Sequence, residues 1–283
     1  MGGFIATYGG IYCDIWGDLL RHMGGFIATL LLTFSQYHVI IFLEVKKMSK
    51  IQSPGVPQSI INADKKFKDQ YYSLVKKSNI IIRKARYNLS LQQQKVLCYL
   101  ITNLSDTDTH ETEKIFDIKS FYDFMEVNNK DYDRVRESLM ALSDKSWWIK
   151  ADDDTDILVR FLNTVRTSKR NGKVRIKFHE DMLPYLQELK TQYTSYKIYY
   201  IMTMKSQYSI RLYELLKSVA GKELWYFEID DLKNIFLCEK KYDRVNDFKK
   251  RIIEPSIEEI NNKTDLNVTY EYFNEGKKIV GIE

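Results

Sequence analysis

Residues 242–282 read YDRVNDFKKRIIEPSIEEINNKTDLNVTYEYFNEGKKIVGI. Apolar residues recur in the first half of this stretch at helical spacing and predict one long helix over Arg244–Asn261, which Pro255 interrupts. The apolar positions are Val245, Phe248, Ile252, Ile257 and Ile260. Leu266–Phe273 and Lys277–Ile282 then flank a short turn and predict a β-hairpin. A helix that leads into a hairpin is the ending typical of a helix-turn-helix with a β wing.

The same order of elements occurs twice in the chain. Helical patterns over Ser206–Val219 and Asp230–Phe236, with a short strand at Leu224–Phe227 between them, precede the quoted stretch. The first half of the chain predicts, in order, a helix that begins after the N-cap Ser90, a strand at Phe116–Ile118, helices over Lys119–Met125 and Asp131–Leu142, a strand at Trp147–Lys150, and a hairpin of Leu158–Val165 with Lys173–Phe178. The letters YDRV occur at 132–135 and again at 242–245, at the third helix of each half. We therefore predict an α+β fold of two tandem winged-helix domains related by internal duplication, over residues 73–180 and 181–283, joined by a connection at about 179–205.

Residues 1–47 have a different origin from the rest of the chain. Met1–Thr7 and Met23–Thr29 both read MGGFIAT, 22 residues apart. The 22-nucleotide word ATGGGGGGATTTATTGCGACAT, repeated in tandem, is read in three successive frames and reproduces residues 1–29 without a mismatch. We interpret residues 1–47 as translated DNA repeats and spacer, not native structure, with Met48 as the native start. Residues 48–72 are then a flexible N-terminal arm.

Composition limits the classes of function. The chain has 283 residues, 43 Lys+Arg and 38 Asp+Glu, for a net charge of +5, which is compatible with a polyanionic partner. The three cysteines lack the spacing of a disulfide framework or a zinc site. The apolar run over residues 23–45 is interrupted by polar residues at 35–38, so we expect a cytoplasmic protein without a membrane segment.

The third helix and the wing of each domain supply the candidate DNA-binding residues, because this helix enters the major groove and the wing meets phosphate. In the C-terminal domain the candidates are Arg244, Asn246, Lys249, Lys250, Arg251, Lys277 and Lys278. In the N-terminal domain they are Lys130, Arg134, Arg136, Lys145, Lys169, Arg170 and Lys173. Asn can pair with adenine, and Arg or Lys with guanine. Asp133, Glu137 and Asp144 reduce the positive charge of the third helix in the N-terminal domain. This domain is therefore expected to bind phosphate or a partner and not to read bases.

No pattern in the sequence predicts an enzyme. There is no GxxxxGK[ST] phosphate loop, and no His-x-His accompanies a nucleophilic Tyr, as a strand-nicking replication enzyme needs. Asp152-Asp153-Asp154 reads as a solvated acidic loop, so no metal site and no cofactor are expected. Trp147 and Trp148 are expected to pack in the core, as is Cys98.

The motifs of the chain resemble those of the iteron-binding plasmid replication initiators of bacteria. The resemblance covers roughly residues 73–283 and is carried by the motifs SLQQQKVL at 90–97, YSIRLYELL at 208–216, DFKKRIIEPSIEEI at 247–260, NKTDLNVTY at 262–270 and GKKIVG at 276–281. It is most specific in the C-terminal block and weaker in the N-terminal domain.

The resemblance implies a function and a set of partners. Such proteins bind directly repeated DNA sites, called iterons, at a plasmid origin as monomers, with Arg244–Arg251 as the DNA-reading stretch here. They help to open an adjacent AT-rich region and recruit the host initiator and the replicative helicase. As dimers, formed mainly through the N-terminal domain, they can repress their own gene. The family's iterons commonly precede the initiator gene, which is where the translated 22-base repeat would lie.

A transcriptional repressor with the same fold and no role in replication is the alternative. Both readings require sequence-specific DNA binding, and a replication assay separates them.

Overall fold

The structure of the chain, a computed structural model, describes residues 43–47, 69, 71–118, 132–150, 154–187, 192–220, 227–275 and 278–282. The predicted helix at 119–125, Lys130, the acidic loop at 152–153, Lys277 and most of residues 1–72 lie outside the described residues. For Leu43–Lys47, Arg134 and Lys278 only the main chain is described. Among the described helices, none combines the length and apolar character that crossing a membrane requires.

The elements of the first half begin with a strand far from the others in sequence. They are β1 (Leu43–Lys47), β2 (Leu74–Ser78), α1 (Asn79–Lys84), α2 (Leu91–Ile101), β3 (Lys114–Asp117), α3 (Tyr132–Ser143), β4 (Ser146–Lys150), β5 (Asp156–Arg160), β6 (Leu162–Ser168) and β7 (Lys173–Phe178). Helix α2 begins as its sequence predicts. Ser90 Oγ accepts the Gln93 N–H, and the Gln93 side chain accepts the Ser90 N–H, so two of the N–H groups at this helix start are bonded.

A connection with its own structure leads into the second half. A 3-10 helix at Glu180–Tyr185 precedes β8 (Tyr193–Lys197), α4 (Ile198–Thr203), α5 (Gln207–Val219), β9 (Phe227–Glu228), α6 (Ile229–Ile235), α7 (Val245–Phe248), a π-helical turn (Lys249–Ile253), α8 (Glu254–Lys263), β10 (Leu266–Tyr270), β11 (Tyr272–Glu275) and β12 (Lys278–Ile282). The connection was not predicted to form a strand and a helix. Its strand β8 pairs antiparallel with β2, so it belongs to the fold.

The two halves have matching sheets. The first contains the antiparallel order β3-β7-β6, and the second contains β9-β12-β11. In each half one residue separates the hairpin from a preceding strand that pairs outside that sheet: β5 pairs with β4, and β10 pairs with β1. The matching order confirms two winged-helix domains.

Two predicted strands are each split in the structure. Leu158–Val165 was predicted as one strand, but Phe161 separates β5 from β6; Leu266–Phe273 was predicted as one strand, but Glu271 separates β10 from β11. The prediction was wrong at the same place in both domains, because the chain there passes from one small sheet to the other. Alternation of apolar residues continues through such a transfer and cannot reveal it.

Strand β1 lies in the segment interpreted as translated spacer. Its register runs antiparallel to β10 from Leu43 opposite Tyr270 to Lys47 opposite Leu266. The bonds of a β ladder join main-chain groups, which every residue except proline can supply. The interpretation of residues 1–47 therefore stays a prediction, as does the flexible arm, although Tyr71 near its end is buried against Tyr199.

One continuous hydrophobic core joins the elements of both halves, and α5 is central to it. This helix packs on one side against α8 and on the other against α1, α2 and β8. It also carries two buried charged residues, Arg211 and Glu214. Lys77 of β2, 3% exposed, donates to the Glu214 carboxylate at 2.6 Å. A fully buried ion pair thus joins β2 to α5.

Candidate nucleic-acid interface

The start of the third helix in the C-terminal domain is a solvent-facing basic segment. Arg244 adopts an extended conformation as N-cap, and its carbonyl accepts the N–H groups of Asp247 and Phe248 at 3.0 and 3.2 Å. Phe248 is fully buried, while Asn246 is exposed. The sequence predicted this division, because the apolar residues occupy one side of the helical turn.

Lys250 and Arg251 extend the exposed surface by one turn. Both side chains are exposed, whereas the next two residues, Ile252 and Ile253, are both buried. These four residues lie in a π-helical turn over Lys249–Ile253.

The π turn has a local cause in the sequence. Glu254 donates its N–H to the carbonyl of Lys249, five residues back, where an α-helix would bond four residues back. Pro255 follows directly; it has no N–H, and in a regular helix its ring clashes with the carbonyl four residues earlier. The wide turn accommodates that ring and allows the helix to continue to Lys263. Pro255 was predicted to interrupt this helix, and it does so without ending it.

Lys249 is placed differently from its neighbours. Its ammonium lies 3.7 Å from the centroid of the Tyr272 ring and 3.6 Å from the Glu254 carboxylate. Only 24% of the side chain is exposed. The residue that the sequence grouped with Lys250 and Arg251 therefore contacts the first strand of the wing.

The wing of this domain is the β11–β12 hairpin. Tyr272 pairs with Ile282 and Glu275 with Lys278, and the register shifts between Phe273 and Asn274. Lys278 thus begins the returning strand, as its position after the turn predicts. Burial, the neighbouring Tyr270 ring and the Glu254 carboxylate raise the pKa of Tyr272 well above its ordinary value, so the ring beside Lys249 remains neutral.

The wing of the N-terminal domain has a basic tip. Gly172 has φ +62°, a conformation that favours glycine, and Asn171 Oδ1 accepts the Lys173 N–H at 3.2 Å. Lys169, Arg170 and Lys173 are all exposed around this turn. The structure therefore brings together the three tip residues that the sequence selected.

Further basic residues on the same wing were missed. Arg166 lies opposite Arg175 in the β6–β7 register, and Arg175 shares a face of β7 with Lys173 and Lys177. Glu113 accepts from Arg166 at 2.7 Å and lies 3.5 Å from Arg175. Alternation along β7 was the signal that could have found this row.

Acidic residues partly neutralise the basic row of β7 at the end farthest from the wing tip. Lys177 donates to Glu111 at 2.6 Å, and this hydrogen bond lowers the pKa of the Glu111 carboxyl. The charge available for a polyanion therefore increases towards the tip.

The third helix of the N-terminal domain is a mixed surface. Asp133, Arg136 and Glu137 are all exposed on α3. Lys145, predicted to face DNA, donates to the carbonyl of Asn88. The described side chains of this helix therefore mix acidic and basic groups on its exposed surface.

The two tryptophans of β4 have different environments. Trp147 is buried, with its ring centroid 3.6 Å from that of Phe161, as predicted. Trp148 was predicted to be buried too, but it is 58% exposed, because successive residues of a strand point to opposite faces. Its cross-strand partner Leu158 is 48% exposed, and the two form an apolar patch.

Within the described part of the chain, no three His, Cys, Asp or Glu side chains lie close enough to hold a metal ion. Cys98 is fully buried, and burial raises the pKa of its thiol to about 11. The surface features described above are suited to binding a large anion.

Comparisons with known proteins agree with this geometry. Residues 74–217 match the family described as Initiator Replication protein, WH1, and residues 228–283 match Initiator Rep protein, WH2. An uncharacterized 27.6 kDa protein of Escherichia coli is 26% identical over 223 residues, which are 74% of this chain and 93% of that protein. The fold is similar to that of the Pi initiator protein, crystallised in complex with iteron DNA, with a TM-score of 0.64 and 17% identity over 75% of this chain and 96% of that one.

Proposed function

Because the chain belongs to the initiator replication protein family and contains both of its winged-helix domains, we propose that it initiates plasmid replication by binding directly repeated DNA sites at the origin. The observation that carries the proposal is the exposed start of the third helix in the C-terminal domain. Arg244, Asn246, Lys250 and Arg251 face solvent there, and their side chains can pair with base edges in a major groove. The Pi initiator, which has a similar fold, is bound to iteron DNA in its crystal structure.

The proposed site is the 22-base word recovered from residues 1–29. B-DNA completes a turn in about 10–10.5 base pairs, so 22 base pairs are close to two turns. Proteins bound to successive repeats would lie on nearly the same face of the duplex and close enough to touch. Lys277 and Lys278 of the C-terminal wing, with Lys130, Arg134 and Arg136 of the N-terminal domain, are proposed to contribute phosphate contacts.

The N-terminal wing is proposed to bind the DNA backbone. Lys169, Arg170 and Lys173 at its tip, supported by Arg166 and Arg175, form a basic edge, and the Asn171 side-chain oxygen beside them accepts the Lys173 N–H within the turn. Such contacts set the position of the protein on DNA and add to the dependence of affinity on salt. Lys145 is proposed to hold the fold together through Asn88, with no direct part in binding.

The protein is proposed to act without enzymatic chemistry, in the cytoplasm. Binding to the iterons opens the adjacent AT-rich DNA and recruits the host initiator and the replicative helicase. A dimer of the same chain represses its own gene.

Four copies of the 22-base word should bind the protein at least about 10³-fold more tightly than a shuffled word at physiological salt, which is the ordinary margin between specific and non-specific sites. Competition gel shifts measure this ratio. Equal affinities would contradict sequence-specific binding. A plasmid that depends on the cloned origin and gene then separates initiation from simple repression, since a pure repressor binds the word but supports no replication.

The proposed dimer surface is the patch of Trp148 and Leu158. On β5, Asp156 and Arg160 flank Leu158 on the same exposed face. If two copies pack this face about a two-fold axis across the strands, Arg160 of each lies over Asp156 of the other. An exposed apolar patch with complementary charges at its two ends is suited to pairing with itself.

Trp148→Glu should raise the dimer dissociation constant by at least about tenfold, because it places a carboxylate at the centre of an apolar contact. Sedimentation equilibrium measures the change. Met140→Glu is the matched control, since Met140 is similarly exposed but lies on α3. An unchanged monomer–dimer equilibrium in the Trp148 variant would assign the dimer to another surface.

A further inference from the structure

We propose that Lys249 is a positioning residue that fixes the third helix of the C-terminal domain against its wing, and that it makes no contact with DNA. The inference rests on the proposed function, because it concerns how two elements reach one DNA site. A helix in the major groove and a wing on the backbone must keep a fixed mutual angle to contact the same site. The Lys249–Tyr272 contact joins these two elements directly.

The geometry on the helix side depends on the π turn. Side chains three or four residues apart face each other on an α-helix, whereas those five apart do not. Lys249 and Glu254 are five residues apart, yet their charged groups lie 3.6 Å apart. The wide turn that ends in the hydrogen bond from the Glu254 N–H to the Lys249 carbonyl brings them together. The turn therefore directs the Lys249 side chain toward the wing.

The geometry on the wing side fixes the ring that receives the ammonium. Tyr272 begins β11, pairs in register with the buried Ile282, and has the Tyr270 ring edge-on to it at 5.3 Å and 77°. The ammonium lies 3.7 Å from the ring centroid, within the distance of a cation–π contact. Glu254 is the second partner of Lys249, so the ammonium contacts both a counter-charge and an aromatic face. Binding a phosphate would require the ammonium to give up both contacts.

The adjacent residue offers the contrasting case. Lys250 is exposed, and in the described part of the chain it has no ion-pair, hydrogen-bond or ring partner. A lysine that neutralises a phosphate releases condensed counterions, so its removal reduces the slope of log affinity against log salt concentration by about 0.9. A lysine that only positions other groups leaves that slope unchanged. The dependence on salt therefore distinguishes the two roles.

The test compares Lys249→Gln, Tyr272→Leu and the double variant on the four-copy word and on a shuffled word. Each single variant should weaken binding to the word by about tenfold, the effect of losing a partly desolvated cation–π contact. The double variant should be no weaker than either single one, because all three lack the same contact. The salt slope should stay at the wild-type value, and binding to the shuffled word should change less than about twofold.

Three further variants complete the design. Tyr272→Phe keeps the ring, and Lys249→Arg keeps a cation over it, so both should bind like the wild type. Lys250→Gln should reduce the salt slope by about 0.9. Thermal unfolding of Tyr272→Leu, followed by circular dichroism, shows whether that variant folds; if it does not, Lys249→Gln against Lys249→Arg carries the test.

A reduced salt slope in Lys249→Gln, or additive losses in the double variant, would overturn the inference and make Lys249 a DNA ligand. If the wild-type protein did not prefer the word over its shuffled form, the proposed function would fail instead. The two failures are therefore distinguishable.

Discussion

Replacing Lys250 and Arg251 together by Ala should weaken binding to the repeated 22-base word by about a hundredfold or more. Each good side-chain contact with a base edge contributes about 1–3 kcal/mol of discrimination, and two are removed. The folded state should change little, because both side chains are exposed and only the neighbouring Ile252 and Ile253 are buried. Surface substitutions of this kind usually alter the free energy of unfolding by less than about 0.5 kcal/mol.

Competition gel shifts with the word and a shuffled word measure this effect. The matched control is Lys76→Ala with Lys205→Ala, which removes two exposed positive charges outside the third helix. The control should weaken binding to both DNA molecules modestly and leave their ratio intact. If the two double variants lost affinity equally, Lys250 and Arg251 would act only through net charge, and the third helix would not be the reading element.

Local patterns in the sequence were sufficient to predict the third helices and the turns. Ser90 and Gln93 form the predicted capping box, and Gly172 occupies a turn position that needs positive φ. The start of the third helix at Arg244 and the exposure of Lys250 followed from spacing alone. Each of these features depends on residues only a few positions apart.

Features set by distant partners could not be predicted. The breaks at Phe161 and Glu271 depend on which neighbouring strand each segment pairs with, and periodicity carries no information about the partner. The π turn likewise combines the local effect of Pro255 with the burial of both Ile252 and Ile253 by the rest of the domain. The contact of Lys249 with Tyr272 then follows from the wing, which the helix sequence does not contain.

Strand β2 shows the same limit for charged residues. Lys76 and Lys77 make this segment look like solvated chain, yet Lys77 is fully buried. Its partner Glu214 lies 137 residues away on α5. No local pattern indicates that a lysine will be neutralised from that distance, which is why β2 was assigned no structure from the sequence.

Around Glu214 the buried groups form one connected cluster. Lys77 and Tyr196 both donate to Oε1 of Glu214, and Arg211 lies 3.7 Å from its other oxygen. Arg211 also donates to the hydroxyl of Tyr87 and to the carbonyls of Ile82 and Ala85. One carboxylate therefore balances two buried cations contributed by β2 and α5.

Glu214→Gln should lower the free energy of unfolding by about 3–5 kcal/mol, since it leaves Lys77 and Arg211 buried without a counter-charge. Urea unfolding at pH 7 measures the loss. Arg166→Met is the control, because it removes an ion pair with Glu113 in which Arg166 is 62% exposed, and it should cost less than about 1 kcal/mol. A loss below about 1 kcal/mol for Glu214→Gln would mean that Lys77 and Arg211 do not depend on Glu214 as their counter-charge.

The pH dependence of that loss is fixed by the directions of the two pKa shifts. Burial alone would raise the pKa of Glu214, but Lys77 and Arg211 outweigh burial and hold it below its ordinary value. Burial alone would lower the pKa of Lys77, but the neighbouring Cys98 and Glu214 raise it. A depressed carboxyl pKa stabilises the folded state above the unfolded-state value of about 4.3, and this contribution is lost as the pH falls through the folded pKa.

The raised lysine pKa acts at the other end of the pH scale. Its contribution is complete below the unfolded-state value of about 10.4 and is lost as the pH rises through the folded pKa. The stability difference between the wild type and Glu214→Gln should therefore be constant from about pH 5 to 9. It should shrink below about pH 4, because a protonated Glu214 leaves the same two cations unbalanced as the glutamine does. A difference that persisted undiminished at pH 2 would show that Glu214 stabilises the contact between β2 and α5 by packing alone.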